Sequence, residues 1–594
     1  MWSPRGTEGT TAIKPMDETS PQPHHPLVGW LFLAALLWRL CVFGGDDNTL
    51  DPLASSIFAC FAAYGVWRLP NNTLGIPYFN WWVLLVLFHW VLWPFWPTPF
   101  QQLLHFPSLL APLFIVTALC WFPLSVLRLL PMLILIAGAL HGLTSLWQYF
   151  FVFPDLLQQQ ETLGLTKAQI FRLHEGRTLG LSSSPDLSAV LCMAGVFSGL
   201  WLMVTRHREQ RVGVSLLFIP ALCGLGLSRS TGVFLAMVVG CLLVLFLKRF
   251  QKRLSFKSEL GVLLVMLPFV LFGFRGIQAL STSTHERLLN WRGALDIFSQ
   301  HWPIGVGPGG FGAAYEMARP VGSNITRYAH GLLFQMPSEL GLAGLFLLLL
   351  LATLLLRRLK QWHAASQEAP TPWLWGGVAA LWAHACIDYD FQAPQTACLL
   401  AIFTFLLFSE HAAFTPPPRP SRANEKILIL ALTLITVAGT YFLTERKGML
   451  LQSREAPFPQ ASQSLESWIT NFPADLEAHL ALMSLVVEKQ VTCEAHCEVW
   501  HQRSQMLTQA WVEKNPAQAT GWFLAAQMAK ARGEPAQARQ WIDRALVLHP
   551  GMPAAWLFKL HSFSNDPNYP AWYKEAEGWL HGRYQLKGLP EPKK

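Results

Sequence analysis

A histidine and three arginines stand out in this chain as side chains whose types and setting could do chemistry. His330 is followed by Gly331, nine further residues, and then Gly341-Leu342-Ala343-Gly344. Imidazole is the side chain that takes up a proton near neutral pH, so His330 is a candidate general base for an acceptor hydroxyl. Arginine stays ionised and grips phosphate oxygens with a planar fork. Arg177, Arg229 and Arg292 are candidates to bind such an anion, since negative charge growing on a departing oxygen needs fixed positive charge beside it. A glycine-rich run, Pro303-Ile304-Gly305-Val306-Gly307-Pro308-Gly309-Gly310-Phe311-Gly312, lies between Arg292 and His330. No Lys-Ser/Thr follows it and no strand pattern precedes it, which excludes a P-loop; its plainest reading is a tight re-entrant turn. Glu339 is placed either to orient His330 or to cap the span that follows, and Asp388 is a candidate second carboxylate. Each has a plainer alternative: a solvated histidine, an arginine that snorkels to the interface, a cation at a helix end. No Asp/Glu pair stands out as a metal site, so the expected chemistry needs neither metal nor cofactor.

The elements that must hold these groups follow from composition. Of 594 residues, 52% are hydrophobic and 13% charged, with 26 Trp and 39 Phe. Soluble domains carry roughly a quarter charged residues, so lipid is the solvent for much of this chain. Apolar stretches near spanning length fall at about 27–44, 52–68, 77–97, 107–126, 130–152, 186–205, 212–228, 231–248, 259–275, 337–356, 373–388, 394–410 and 426–445, about thirteen in all. The formal charge of +8 concentrates in clusters: Arg206-His207-Arg208, Lys248-Arg249 with Lys252-Arg253, and Arg357-Arg358-Leu359-Lys360. An even number of spans separates them, as cytoplasmic loops require, so the charge orients the protein and the nucleic-acid reading drops out. The external segments are then about 153–185, the turn at Arg229-Ser230-Thr231, about 276–336, and everything after 445. Arg177, Arg229 and Arg292 fall on that external side, against the positive-inside trend.

The termini differ from the body. Residues 1–26 read as a disordered cytoplasmic tail with no removable signal peptide. Segment 411–425, with Pro416-Pro417-Pro418, reads as a cytoplasmic linker. Residues 446–594 are polar and read as a soluble helical domain. There Pro516 and Pro550 are 34 residues apart, as are Trp522 and Trp556, with Gly533, Ala538 and Ala545 at tetratricopeptide-repeat spacing. Such repeats serve as protein-binding or packing scaffolds; a plain bundle of helical hairpins is the alternative. Cys493 and Cys497 flank His496 too sparsely for a structural zinc site, and a local disulfide and two free thiols stay open.

The stretch from Arg287 to Gly344 resembles the signature region of the O-antigen ligase and O-antigen polymerase superfamily. Arg292 precedes Pro-x-Gly-x-Gly-Pro-Gly-x-Phe, and His330 precedes Gly-x-x-Gly at the head of a span. The ligase pattern has Asn, Ser or Gln after the histidine; here Gly331 stands there. Ser228-Arg229 resembles a family Ser-Arg turn, and Arg177 with Gly180, Pro185 and Asp186 resembles an Arg-x-x-Gly…Pro-Asn element in which Asp186 replaces Asn. The resemblance covers about residues 165–410.

It implies an all-α polytopic membrane bundle of about thirteen transmembrane helices at the inner membrane, residues 27–445, with the catalytic loop 276–336 external. The helical tail, 446–594, would lie in the periplasm and could engage a protein partner. The implied reaction moves a glycan from a polyprenyl-diphosphate carrier to a glycan, lipid A-core or protein acceptor, without metal. His330 would be the base, Arg177, Arg229 and Arg292 would hold the diphosphate, and Glu339 would line the substrate site. Two rivals belong to other classes: a membrane transporter, which predicts inverted repeats and broken spans that the sequence does not display, and a non-catalytic scaffold of an envelope polysaccharide complex. The +8 charge assigns no nucleic-acid partner to any of them.

Overall fold

The computed structural model describes residues 26–41, 50–68, 110–250 (save 121, 123 and 166), 276–364 (save 321, 322, 324 and 325), 372–409 (save 391 and 392) and 423–580 (save 473, 474, 493–496 and 515–518). Among these residues the structure is helical, with no strand. The expected spans at 77–97 and 259–275, the linker at 411–425 for most of its length, the N-terminal tail before residue 26, and the side chains of Cys493 and Cys497 lie outside the described residues.

The longer helices are α1 (Pro26–Cys41), α2 (Leu50–Arg68), α3 (Leu130–Trp147), α4 (Pro185–Thr205), α5 (Arg208–Leu227), α6 (Thr231–Phe250), α7 (Gly276–His301), α8 (Leu332–Leu340), α9 (Leu342–Ala364), α10 (Pro372–Ala385), α11 (Pro394–Ser409) and α12 (Ala423–Glu455). Among the described residues, six stretches are long and apolar enough to cross a bilayer: Leu130–Gln158, Pro185–Thr205, Arg208–Leu227, Thr231–Arg249, Leu342–Lys360 and Ile429–Glu455. Four more apolar helices, Leu27–Cys41, Leu53–Trp67, Leu110–Leu119 and Pro394–Phe408, are shorter. This is a multi-pass membrane protein. The expected span at 337–356 is re-bounded: the left-handed Gly341 ends α8, which contains Pro337, and the apolar helix starts afresh at Leu342. Glu339 therefore lies before the span. Likewise α10 ends at Ala385, leaving Asp388 in the turn beyond it.

Helix α4 is the axis of the bundle, packed by α3, α5, α6, α10 and α11. It has almost no charge and is buried nearly all round, the pattern of a helix enclosed by others. Small residues set the spacing: a Cβ at Gly224 would stand 2.5 Å from the Gly142 Cα, so α3 and α5 touch backbone to backbone. Helix α9, by contrast, turns most of its surface to lipid. The last span, α12, packs on α2, where Ser56 and Thr440 share a hydrogen bond of 2.8 Å that satisfies both hydroxyls in an apolar setting.

The tail continues as α13 (Phe458–Asn471), α14 (Leu476–Thr492), α15 (Cys497–Lys514), α16 (Ala519–Ala531), α17 (Pro535–Leu548), α18 (Pro553–Ser562) and α19 (Tyr569–Leu580). Helices α16 and α17 form a hairpin whose turn contains Gly533 at φ +80. Ala526, Ile542, Ala545 and Trp556 fill the space between its helices and α18. The tail meets the body through the last span, where Phe442 packs on Trp468 and Phe472 and Arg446 pairs with Asp475, and again at Arg319. A Cβ on Gly551, in the α17–α18 turn, would overlap the Arg319 guanidinium. Arg319 lies eleven residues before His330 in the chain.

Candidate functional site

His330 sits at the entry to α8 with φ +53, a left-handed conformation costly for a residue with a side chain. Two neighbours fix the turn. The Gln335 side chain reaches back to accept the Ala329 N–H at 2.6 Å, and the Trp291 indole N–H on α7 donates to the His330 carbonyl at 2.9 Å. Gly331 is required by space: a Cβ there would lie 2.9 Å from both the Cys386 carbonyl oxygen and the Trp291 Nε1. Its departure from the amide or hydroxyl of the ligase pattern is thus a packing matter, with α7 and the end of α10 pressing on that position.

The imidazole meets the turn after α10. His330 Nδ1 lies 3.0 Å from Asp388 Oδ1. A carboxylate only accepts, so Nδ1 carries the proton and Nε2 keeps its lone pair. The edge of the ring faces Tyr389, 5.2 Å between centroids, and Tyr389 in turn stacks on Tyr328. The second Asp388 oxygen accepts from Arg287 of α7 at 2.9 Å, and the Tyr389 N–H also donates to Oδ1 at 2.9 Å. Asp388 is almost fully enclosed. Burial alone would raise its carboxyl, but the His330 hydrogen bond and the charges of Arg287 and His384 outweigh it and hold Asp388 below the ordinary carboxylate range.

Behind this group is a second pair: His384 Nδ1 is 2.6 Å from Asp390 Oδ2, and His384 Nε2 is 3.9 Å from Asp388 Oδ2. Both side chains are buried. The cluster reaches the start of α6, beside the α5–α6 turn, at Gly232, where a Cβ would meet His384 Nε2 at 3.2 Å and Arg287 at 3.5 Å.

On the other flank of the same turn stand two of the expected arginines. Arg229 has φ +50; it and His330 are the two non-glycine residues of positive φ among the described residues. Arg229 donates to the Glu175 carbonyl, while its buried Nε has no hydrogen-bond partner among the described residues. Arg177 donates to the Ser228 carbonyl at 3.2 Å and pairs with Asp186 at 3.0 Å. The carboxylate that replaces Asn at 186 is therefore paired with Arg177. Thr178 N–H donates to Leu227 O at 3.2 Å, tying the two segments together.

The other expected residues go elsewhere. Arg292 is exposed on α7, five residues on from Arg287 and so about 140° round the helix; it is not drawn into the His330 cluster. Glu339 is buried, accepts from Gln335 at 2.6 Å, and accepts the backbone N–H groups of Gly309 and Phe311. With Gly307 N–H on the Glu339 carbonyl at 2.8 Å, it holds the glycine-rich run against α8. A Cβ on Gly305 would overlap that carbonyl, which is why this run is glycine. Burial raises the Glu339 carboxyl to about 7 against the opposing pull of these donors.

Arg287, His384, Asp390 and the two stacked tyrosines were not expected. Their signal was faint: Arg287 shares a helix with Arg292, and His384, Asp388 and Asp390 are spaced to converge at a helix end. Among the described residues no three His, Cys, Asp or Glu side chains form a group able to ligate a metal.

A polytopic helical bundle with a histidine, a carboxylate and arginines at one rim defines the class: a membrane protein with a polar reaction-type site at its face. The comparison with known proteins narrows it. Residues 216–349 match the family described as O-Antigen ligase, a segment that contains Arg229, Arg287, Arg292, His330 and Glu339 and stops short of Asp388. The match supports glycan transfer of the O-antigen ligase or polymerase type. No curated protein and no solved structure matches the chain.

Proposed function

We propose that this protein is a glycosyltransferase of the inner membrane. It would take a glycan from a polyprenyl-diphosphate carrier and pass it to an acceptor at the external face. The observation that carries the reading is the His330–Asp388–Arg287 arrangement in strained backbone, in a segment akin to O-antigen ligases. His330 Nε2 accepts the acceptor hydroxyl proton. The freed oxygen attacks the anomeric carbon, the carbon–oxygen bond to the diphosphate breaks, and that electron pair leaves on the diphosphate. Asp388 holds the imidazole in the basic tautomer and stabilises the imidazolium that forms. One displacement inverts the anomeric configuration.

Arg229, with its unpartnered buried Nε, and Arg177 beside it bind the diphosphate; exposed Arg292 meets it from α7. Glu339 shapes the glycine-rich wall of the site. The acceptor we favour is bulky, lipid A-core, because the tail seats on Arg319, in the same external loop as His330. In this reading the tail is a periplasmic tetratricopeptide-like scaffold that docks an acceptor or partner.

The test is transfer in vitro from a purified polyprenyl-diphosphate glycan, scored by the mass of the acceptor product. Transfer should fall by about 10²–10⁴ in His330→Ala and drop clearly in Arg229→Ala. Wild-type rates in both would sink the catalytic reading and leave the scaffold.

A further inference from the structure

A cleft of about 600 Å³ opens on the tail where α13 packs against the end of α12. Its wall is unusual for a solvated surface. Gln452 comes from α12, and Gln460, Gln463, Ser467 and Asn471 from α13, with Trp468 at the base. The α13 positions follow the three- and four-residue steps that line up along one side of a helix. None of the lining residues is charged. An exposed helix face normally carries charge, as α17 does with Arg539, Asp543 and Arg544. Helix α13 has one charged residue, Glu466, which lies off this row and pairs with Arg503.

The four amides make no hydrogen bond to another described residue, so their donors and acceptors face the cleft or solvent. The indole is fixed: Trp468 Nε1 donates to Asp475 at 2.9 Å, and the ring lies against Phe442 and Phe472. A rigid aromatic wall beside paired amide donors and acceptors matches a ligand with apolar C–H faces and many hydroxyls. A phosphate or lipid headgroup would call for Lys or Arg, and the lining has neither. Gln452 is eight residues beyond Thr444, where the apolar part of α12 ends. At helical rise that is about 12 Å from the bilayer edge, within reach of a chain held at the membrane.

We propose that this cleft binds an uncharged stretch of oligosaccharide, as a second glycan site apart from His330. The site holds a growing or incoming glycan chain while its reducing end is at the membrane. This rests on the glycan-transfer reading for the presence of such a chain, and its test reads binding alone, so the two fail separately.

The probe is an array of immobilised short neutral oligosaccharides, with polyuronate and unstructured peptides as controls, overlaid with the full-length protein in nanodiscs. Wild type and His330→Ala should both be retained on neutral glycans. Gln463→Ala/Asn471→Ala should lose about tenfold in affinity, the scale of two lost hydrogen bonds. These exposed positions leave the fold intact, whereas a Trp468 variant would disturb Phe442 and Asp475. No neutral glycan retained, capture of the peptides instead, or unchanged binding in the double variant would each overturn the proposal.

Discussion

His330 and Asp388 are 58 positions apart and come from different helix ends, yet their Nδ1 and Oδ1 atoms lie 3.0 Å from each other. The bond does two things at once. It fixes which imidazole nitrogen is free, and it gives a buried carboxylate a donor to set beside Arg287. Either residue alone would be poorly placed: a histidine with neither tautomer fixed, or an enclosed anion short of a donor.

Asp388→Asn tests that relationship. The amide keeps the volume but accepts poorly and can present an N–H to His330, which favours the wrong tautomer. Glycan transfer should fall by about 10²–10⁴ while the protein still inserts and unfolds cooperatively. The measurement is the rate of product formation with saturating donor. A rate within a few-fold of wild type would mean that Asp388 is only a structural partner of Arg287.

Gly331 gives a second test, one of packing. Gly331→Ala puts a methyl 2.9 Å from the Cys386 carbonyl and the Trp291 indole nitrogen, both of which are held in place. Overpacking of this kind costs about 1–3 kcal/mol. The thermal midpoint in detergent should drop by several degrees, and transfer should drop further than stability because His330 is the adjacent residue. Gly331→Asn, which restores the residue type of the ligase pattern, should be worse than alanine here. An asparagine variant as stable as wild type would overturn the steric account.

The bundle was legible in the apolar runs because burial in lipid demands about twenty apolar residues per crossing. Boundaries were less so. The break at Gly341 depends on the Trp302 carbonyl, which accepts the Leu342 N–H, and no local pattern reveals a contact so far back in the chain. His330 and Arg229 were readable from motif and side; both have positive φ. Arg287 and Arg292 looked alike in the sequence. Only the packing of α7 tells which one faces Asp388. Glu339 was read only as orienting His330 or capping the next span; its partners include the backbone amides of Gly309 and Phe311, and backbone donors leave no mark on residue type.

Glu339 gives the molecule a pH dependence of defined sign. Its carboxyl is raised from 4.5 to about 7 by burial. The folded state therefore holds the proton more tightly than the unfolded chain. The stability this provides is fully present below about 4.5 and is lost as pH rises through about 7. Wild type should lose on the order of 1–3 kcal/mol across that window. Glu339→Gln, which keeps the neutral shape and the Gln335 contact, should flatten the slope. The check is the unfolding midpoint against pH in both proteins, and parallel slopes would remove Glu339 as the cause.

The seat of the tail should titrate in the opposite direction. His549 precedes Pro550 and Gly551 in the α17–α18 turn, is buried, and feels the charge of Arg319. Burial first, then that charge, lowers its imidazole from 6.5 to about 4. A neutral His549 thus favours the folded, docked tail fully above about 6.5, and the contribution is lost as pH falls through about 4. Protonation would put two cations against each other where Gly551 leaves no room for Arg319 to withdraw. Acidification should expose the α17–α18 turn to protease and to amide hydrogen exchange before the helices of the bundle open. The cost is on the order of 2 kcal/mol after solvent screening. His549→Gln should keep the turn protected to lower pH, and Arg319→Ala should shift the transition downward by removing the repulsion. If protection in the turn follows the bundle at every pH, the tail and the loop that carries Arg319 move as one unit, and His549 plays no part in holding them together.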